Sequence, residues 1–179
     1  QVENQGENLE KYLYINNPSL DSLELFVVQD GKVLDSYLGG RLVDFTRRSI
    51  PSKSIIFKVD IPNEGHVDLY LKVNSVNKKI ITSSVASREF LERLINRENI
   101  LFGIFTGVIV GLFFYNLFLF FSVRDKLYLI YVIHTVLVWF AQSSILGYTQ
   151  EILWPNFIWM NLRAGVIFSS LVSIVGIWF

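Results

Sequence analysis

The sequence predicts a two-part molecule, an all-β sandwich followed by a bundle of membrane-spanning helices. Residues 100–121 (ILFGIFTGVIVGLFFYNLFLFF) run twenty-two positions without a charge. At 1.5 Å per residue that is enough to cross a hydrocarbon core of about 30 Å. Of the 32 Asp, Glu, Lys and Arg residues, 27 precede Ile100, so a polar domain is joined to a nearly uncharged remainder. The polar part breaks into short apolar runs separated by turn residues, the signature of strands. The expected division is a sandwich over 1–87, a juxtamembrane helix over 88–99 and a membrane region over 100–179, with spans at about 100–123, 127–147 and 164–179. Because the chain opens on Gln1 and stops at Phe179 inside an apolar run, we expect a piece of a longer protein, truncated in its first strands and in its third span.

Six strands are expected before residue 88. Lys11 to Asn16 is closed by Asn17, Pro18 and Ser19, and Ser22 to Gln29 is followed by Asp30-Gly31. That dipeptide supplies the positive φ angles of a type I′ turn, so Ser22 to Gln29 and Lys32 to Leu38 should form a hairpin. Ser54 to Ile61, Val67 to Val73 and Lys79 to Ser84 complete the set, with turns at Pro62-Asn63-Glu64-Gly65 and at Asn74 to Asn77. In VDLYLKV, Val67, Leu69, Leu71 and Val73 share the core face, while Asp68, Tyr70 and Lys72 share the wet one. The non-strand stretch Gly39 to Lys53 carries Arg41, Arg47 and Arg48 with Phe45. Such a loop can bind a sugar, carboxylate or phosphate; with Tyr37 these arginines are the ligand-binding candidates. The competing reading is a solvated connection whose Phe45 and Ile50 plug the sandwich.

From Ser87 the period becomes helical. Ser87 caps, Glu89 suits the first turn, and Phe90, Leu91, Leu94 and Ile95 recur on one face. With no Pro or Gly between Arg88 and Phe102, one rod should join the sandwich to the first span. The short Arg124-Asp125-Lys126 turn holds two cations and favours the cytoplasmic side, which places the sandwich outside. Trp154, Pro155, Phe157 and Trp159 suit the headgroup level on that same outer side.

Inside the spans, Gly103, Gly107 and Gly111 form two overlapping G-x-x-x-G steps that allow close helix approach. Asn116 and His134 each lie nine residues from Asp125, at equal depth if the chain folds back there, so a hydrogen bond between them is expected. An intramembrane His serves proton relay, ligand contact or packing, and the pattern leaves these open.

There is no cysteine, no metal-ligand spacing around His66 or His134, no phosphate-binding glycine loop and no nucleophile elbow. No cofactor is expected, nothing reads as an enzyme site, and the balanced charge gives no nucleic-acid surface. The expected partners are the lipid bilayer, a small-molecule ligand and a second copy of the chain. A transporter or channel subunit with a polar path through Asn116, His134 and Gln142, or a membrane-anchored binding or assembly protein, are the alternatives to a receptor.

The run FGIFTGVIVGLFFYNLFLFFSVRDKLYLIYV, with Leu153-Trp154-Pro155 and Arg163 beyond it, resembles the bacterial seven-transmembrane receptors with diverse intracellular signalling modules. Upstream, YLYINNPSLDSLELFVVQDGK and the stretch from Gly39 to Pro51 are similar to their second type of extracellular domain, a jelly roll related to carbohydrate-binding modules. The chain departs from that pattern at Arg41, Asp44 and His134. The resemblance implies a sensor in the bacterial cytoplasmic (inner) membrane, with its N-terminal domain on the periplasmic or extracellular side. Its outer sandwich would bind a small molecule such as a carbohydrate, and seven helices would relay the state to a cytoplasmic kinase, cyclase or phosphatase module.

Overall fold

A computed structural model describes residues 2–4, 9–61, 65–76 and 81–178. Seven strands form two antiparallel sheets: β1 (Val2–Asn4), β2 (Leu9–Ile15), β3 (Ser22–Gln29), β4 (Lys32–Gly39), β5 (Ile55–Ile61), β6 (Gly65–Asn74) and β7 (Ser83–Ala86). One sheet has the order β1-β6-β3-β4 and the other β5-β2-β7. Leu23, Leu25 and Val27 of β3 and Val67 of β6 meet Leu13, Ile15, Ile55, Phe57, Val59 and Ile61 of the second sheet in one buried core. The sandwich expected from alternation is therefore formed, with Leu69, Leu71 and Val73 packed on the core and Tyr70 outside.

The β3–β4 hairpin turns on Asp30 and Gly31, both at positive φ (50° and 75°), as the dipeptide requires. A bulge follows, because Val28 pairs Val33 while Val27 pairs Asp35, leaving Leu34 without a partner. Two strands differ from expectation. β1 was not anticipated, since three residues carry no period, and it pairs only with the start of β6. The last strand lies at Ser83–Ala86 rather than Lys79 to Ser84, set by its register on β2 (Tyr12 opposite Ala86, Ile15 opposite Ser83) and not by any apolar pattern of its own. Residues 79 and 80, the turn at 62–64, residue 77 and Phe179 lie outside the described residues.

The three-stranded sheet is buried on both faces. Tyr12, Tyr14 and Ile56 point away from the sandwich core and pack with Leu91 of α1 (Arg88–Val123), joined by Ile50, Leu94 and Ile95. Ile50 thus fills the space between sheet and helix and does not plug the sandwich. Ser87 caps α1, its hydroxyl accepting from the Phe90 amide at 3.4 Å. Thirty-six residues then run unbroken, so the juxtamembrane stretch and the first span are one helix. Arg124, left-handed at φ 60°, closes α1, and the Asp125 side chain caps α2 (Lys126–Ile145) by accepting from Leu127. A short α3 (Tyr148–Ile152) and then α4 (Ile158–Ile177) follow. α4 begins six residues before the expected start at Ala164, taking in Arg163, whose guanidinium lies 5.0 Å over the Trp159 ring one turn earlier. α1, α2 and α4 are each long and apolar enough to cross a membrane.

Asp21 ties the loops at one end of the sandwich together. Its carboxylate accepts from Arg41 Nε (2.7 Å), the Val76 amide (2.7 Å) and the Ser75 hydroxyl (3.2 Å). Gly40, at φ 110°, passes so close that a Cβ would sit 2.6 Å from the Asp21 carbonyl oxygen. Gly40→Ala should therefore cost about 3 kcal/mol or more, because strain and a backbone clash add. Gly31→Ala, with open space around it, should cost about 1 kcal/mol. Chemical denaturation of the two variants in detergent checks the order. Burial raises the Asp21 pKa, but the Val76 N–H and Arg41 outweigh it and hold the group below its ordinary value. Its stabilisation is complete above the unfolded pKa of about 4 and is lost as pH falls through the lower folded value. The unfolding temperature should thus fall between pH 5 and pH 3 more steeply in the wild type than in Asp21→Asn; equal slopes would count against this role.

Candidate functional site

The residues that join the two parts of the molecule converge on Lys53. Its loop is shaped by Arg48, whose Nη1 and Nη2 donate to the carbonyls of Ser52 (2.9 Å) and Gly40 (3.0 Å) while the guanidinium lies 4.9 Å over the Phe45 ring. Burial pushes the Arg48 pKa down to about 10, partly offset by Glu151, so the group stays charged at neutral pH. Held this way, Lys53 is carried out of the sandwich toward the helices. Its Nζ pairs with Glu98 Oε2 of α1 and lies 4.4 Å over the Tyr148 ring of α3, and its amide donates to Glu151 Oε2 at 3.2 Å.

Glu98 is the matching acceptor. Its second oxygen takes the Tyr14 hydroxyl at 3.0 Å. Burial, with the Glu98 carboxylate alongside and a Ser54 contact opposing, pushes Tyr14 up to about 12, so it remains a proton donor throughout the physiological range. Tyr148 donates to Asn99 Oδ1 (3.1 Å) and stacks on Phe102 at 3.7 Å and 9°. Gly147, at φ 84°, turns the chain between Pro18 and Lys53, where a Cβ would come within 3.1 and 3.3 Å of theirs. One cation of the sandwich thus touches the top of the first span and the connection leading to the third. A cavity of about 410 Å³ adjoins it, walled in part by Pro18, Lys53, Glu98, Phe102, Gln142 and Tyr148.

The seam between the two parts is also where two family models meet. The model described as 7TMR-DISM extracellular 2 matches residues 1–103, and that described as 7TM diverse intracellular signalling matches residues 98–179. The chain belongs to the 7TMR-DISM family. The matches overlap at residues 98–103, the segment that holds Glu98, Asn99 and Phe102. The 7TMR-DISM match and the three apolar helices together make this a multi-pass membrane protein built from the domains of a membrane sensor. No curated protein and no solved structure matches the chain.

The residues singled out from the sequence are distributed differently from the expected groupings. Tyr37 leans on the core, its ring 6.4 Å from Phe57, with its hydroxyl on Asp35. Arg41 is engaged with Asp21 and Arg48 is buried in its own loop, while Arg47 is exposed beside Asp44. The four therefore do not face one site, and two serve as struts of the sandwich. The expected hydrogen bond between Asn116 and His134 is not made. Asn116 is buried but donates to the Leu112 carbonyl of its own helix (2.7 Å), and His134 Nε2 faces Gly176 of α4. Gly103, Gly107 and Gly111 meet nothing within 4 Å, on the face opposite Asn116. The bond that does join the first two spans is Trp139 Nε1 to Thr106 Oγ1, at 3.1 Å.

Lys53, Glu98, Tyr148 and Glu151 have no local signature, since each is an ordinary polar residue near an element end. The one clue was Glu98 itself, an acid only two residues before a charge-free span. A double-mutant cycle of Lys53→Met and Glu98→Gln should give a coupling of about 1–2 kcal/mol. That exceeds an exposed pair because Lys53 is buried, but is limited by the part-exposed Glu98. Additive losses in thermal stability would show that the two do not act together.

Proposed function

We propose that this chain is the sensing and coupling part of a signal-transduction receptor in the bacterial cytoplasmic membrane. The sandwich lies on the outer side, binds a small ligand and passes its state through α1 and α3 to a cytoplasmic output module. The observation that carries this reading is the reach of the Lys53 ammonium from the sandwich to both Glu98 of α1 and the Tyr148 ring of α3. A mere anchor has no use for a buried cation that grips the first span and the α2–α4 connection at once. The contacts of the α2–α4 connection with the sandwich support one side of the bilayer for both, and Arg124 and Lys126 of the short turn are the cations expected at the cytoplasmic face.

On this reading the functional division falls near residues 87 and 99, and the chain binds and relays without catalysing. A carbohydrate is the ligand class we favour, with exposed Arg47 and half-buried Tyr37 as the candidate side chains, now partnered by Asp44 and Asp35. Gly103, Gly107 and Gly111 would accept a further helix, from the same receptor or a second copy. A transport path has weaker support. Asn116 bonds its own backbone, His134 faces α4, and Gln142 lines the junction cavity, so the three do not converge.

In the full-length protein, Lys53→Met should leave ligand affinity within about threefold while reducing the ligand-induced change in output at least tenfold. Binding would be followed by calorimetry and output by the activity of the cytoplasmic module. A variant that binds and signals normally would defeat the coupling role, and one that loses binding would place Lys53 in the ligand site instead.

A further inference from the structure

A second cavity of about 490 Å³ opens on the other side of Gly147, between the sandwich loops and the groove of α2 and α4. Its upper wall is polar and short of partners. Gln150, 5% exposed, has an Nε2 with no hydrogen-bond partner, and neither Nδ2 nor Oδ1 of Asn161 has one among the described residues. Arg41, from the sandwich, completes this end. It holds Asp21 through Nε, and its two terminal nitrogens donate to no described residue. No Asp or Glu lines the cavity. Three donor groups, one of them cationic, therefore line this end beside the amide oxygens of Gln150 and Asn161.

The lower wall has another character. From Asn161 to Ser173 the groove follows α4 for about 18 Å by helix rise, past Ile145 and Val166. Two of its serines already have partners: Ser144 donates to the Phe140 carbonyl (2.7 Å) and Ser173 to the Ser169 carbonyl (3.0 Å). They present little more than small apolar surface. A polar head at the membrane boundary that continues as a weakly polar channel along a membrane helix has the shape and chemistry of an amphiphile.

We infer that this groove holds one phospholipid from the leaflet facing the sandwich, its phosphate taken by Arg41, Gln150 and Asn161 Nδ2 and its acyl chain lying along α4. The free Asn161 Oδ1 selects a headgroup that carries a donor, such as glycerol or ethanolamine, over choline. An oxyanion supplies the acceptors that three convergent donors lack, and burying them unpaired would be costly. This site does not depend on the sensor reading, although a lipid that touches both Arg41 and α4 sits across the same seam as Lys53.

The test uses the full-length protein in a detergent without phosphate groups, titrated with short-chain phosphatidylglycerol, phosphatidylcholine of equal chain length, or inorganic phosphate. Thermal unfolding and native mass spectrometry are the readouts. We expect one phosphatidylglycerol retained per chain, bound at least tenfold more tightly than phosphatidylcholine. Gln150→Leu with Asn161→Leu should abolish that preference while leaving the lipid-free unfolding temperature unchanged or higher, since apolar replacements strand no buried polar atom. Val166→Trp, at an exposed position on the groove wall, should weaken binding by blocking the chain and serves if the double variant does not fold. Equal affinity for the two lipids, or a preference that survives the double variant, would overturn the site. An equal response to inorganic phosphate would make it a free-anion site, and cross-linking of position 161 to another protein helix would make the groove a helix contact; either result also overturns the proposal.

Discussion

The fold depends on burying a single three-stranded sheet from both sides. β2 offers Leu13 and Ile15 to the sandwich core and Tyr12 and Tyr14 to Leu91 of α1. At about 1.5–3 kcal/mol for each large apolar side chain taken out of water, neither face is stable when left open. A two-sheet sandwich covers one face only. The other must be closed by the helix that enters the membrane, so the sandwich is completed by the membrane part and is not merely attached to it. The Tyr14 hydroxyl donates to Glu98 at the edge of that apolar seam.

The same seam explains why the charged residues there behave as they do. Lys53 and Arg48 sit 7% exposed, in places where an unpaired cation would be costly. The terminal nitrogens of Arg48 bond within its own loop, to Ser52 and Gly40, and so shape the loop, while its buried Nε has no partner among the described residues. The Lys53 ammonium finds its partners on two other elements, Glu98 of α1 and the Tyr148 ring of α3, and any shift of the loop relative to α1 changes its surroundings. The difference between a strut and a coupling residue lies in where the partners are.

Much of the architecture was legible because burial leaves a period. The Asp30-Gly31 turn, the alternation of Val67 to Val73, the Ser87 cap and the first span each follow from a local rule, and each is present. The misses share a cause. β1 and β7 are short, polar strands placed by their neighbours' registers, and α4 was started late because Arg163 was read as a boundary when its long side chain can lie along Trp159. The junction was illegible for a stronger reason. Lys53 and Glu98 are 45 positions apart, Lys53 and Glu151 are 98, and no single-window pattern carries information over such distances. The arginines were the most conspicuous residues of the loop, yet two of them are held by Asp21 and by backbone carbonyls.

The unbroken course of α1 gives the molecule a mechanical ratio. Below the Leu91, Leu94 and Ile95 contacts, Glu98 is where the Lys53 loop ion-pairs with the helix. By helix rise about 15 Å of α1 lies above it, from Arg88, and about 38 Å below it, to Val123. Treated as a stiff rod pivoting there, α1 is a lever with arms of unequal length, and a 1 Å displacement beside Tyr12 becomes roughly 2.5 Å at the Arg124 turn. A glycine or proline hinge in the upper arm would absorb that motion, and the sequence places neither between Arg88 and Phe102.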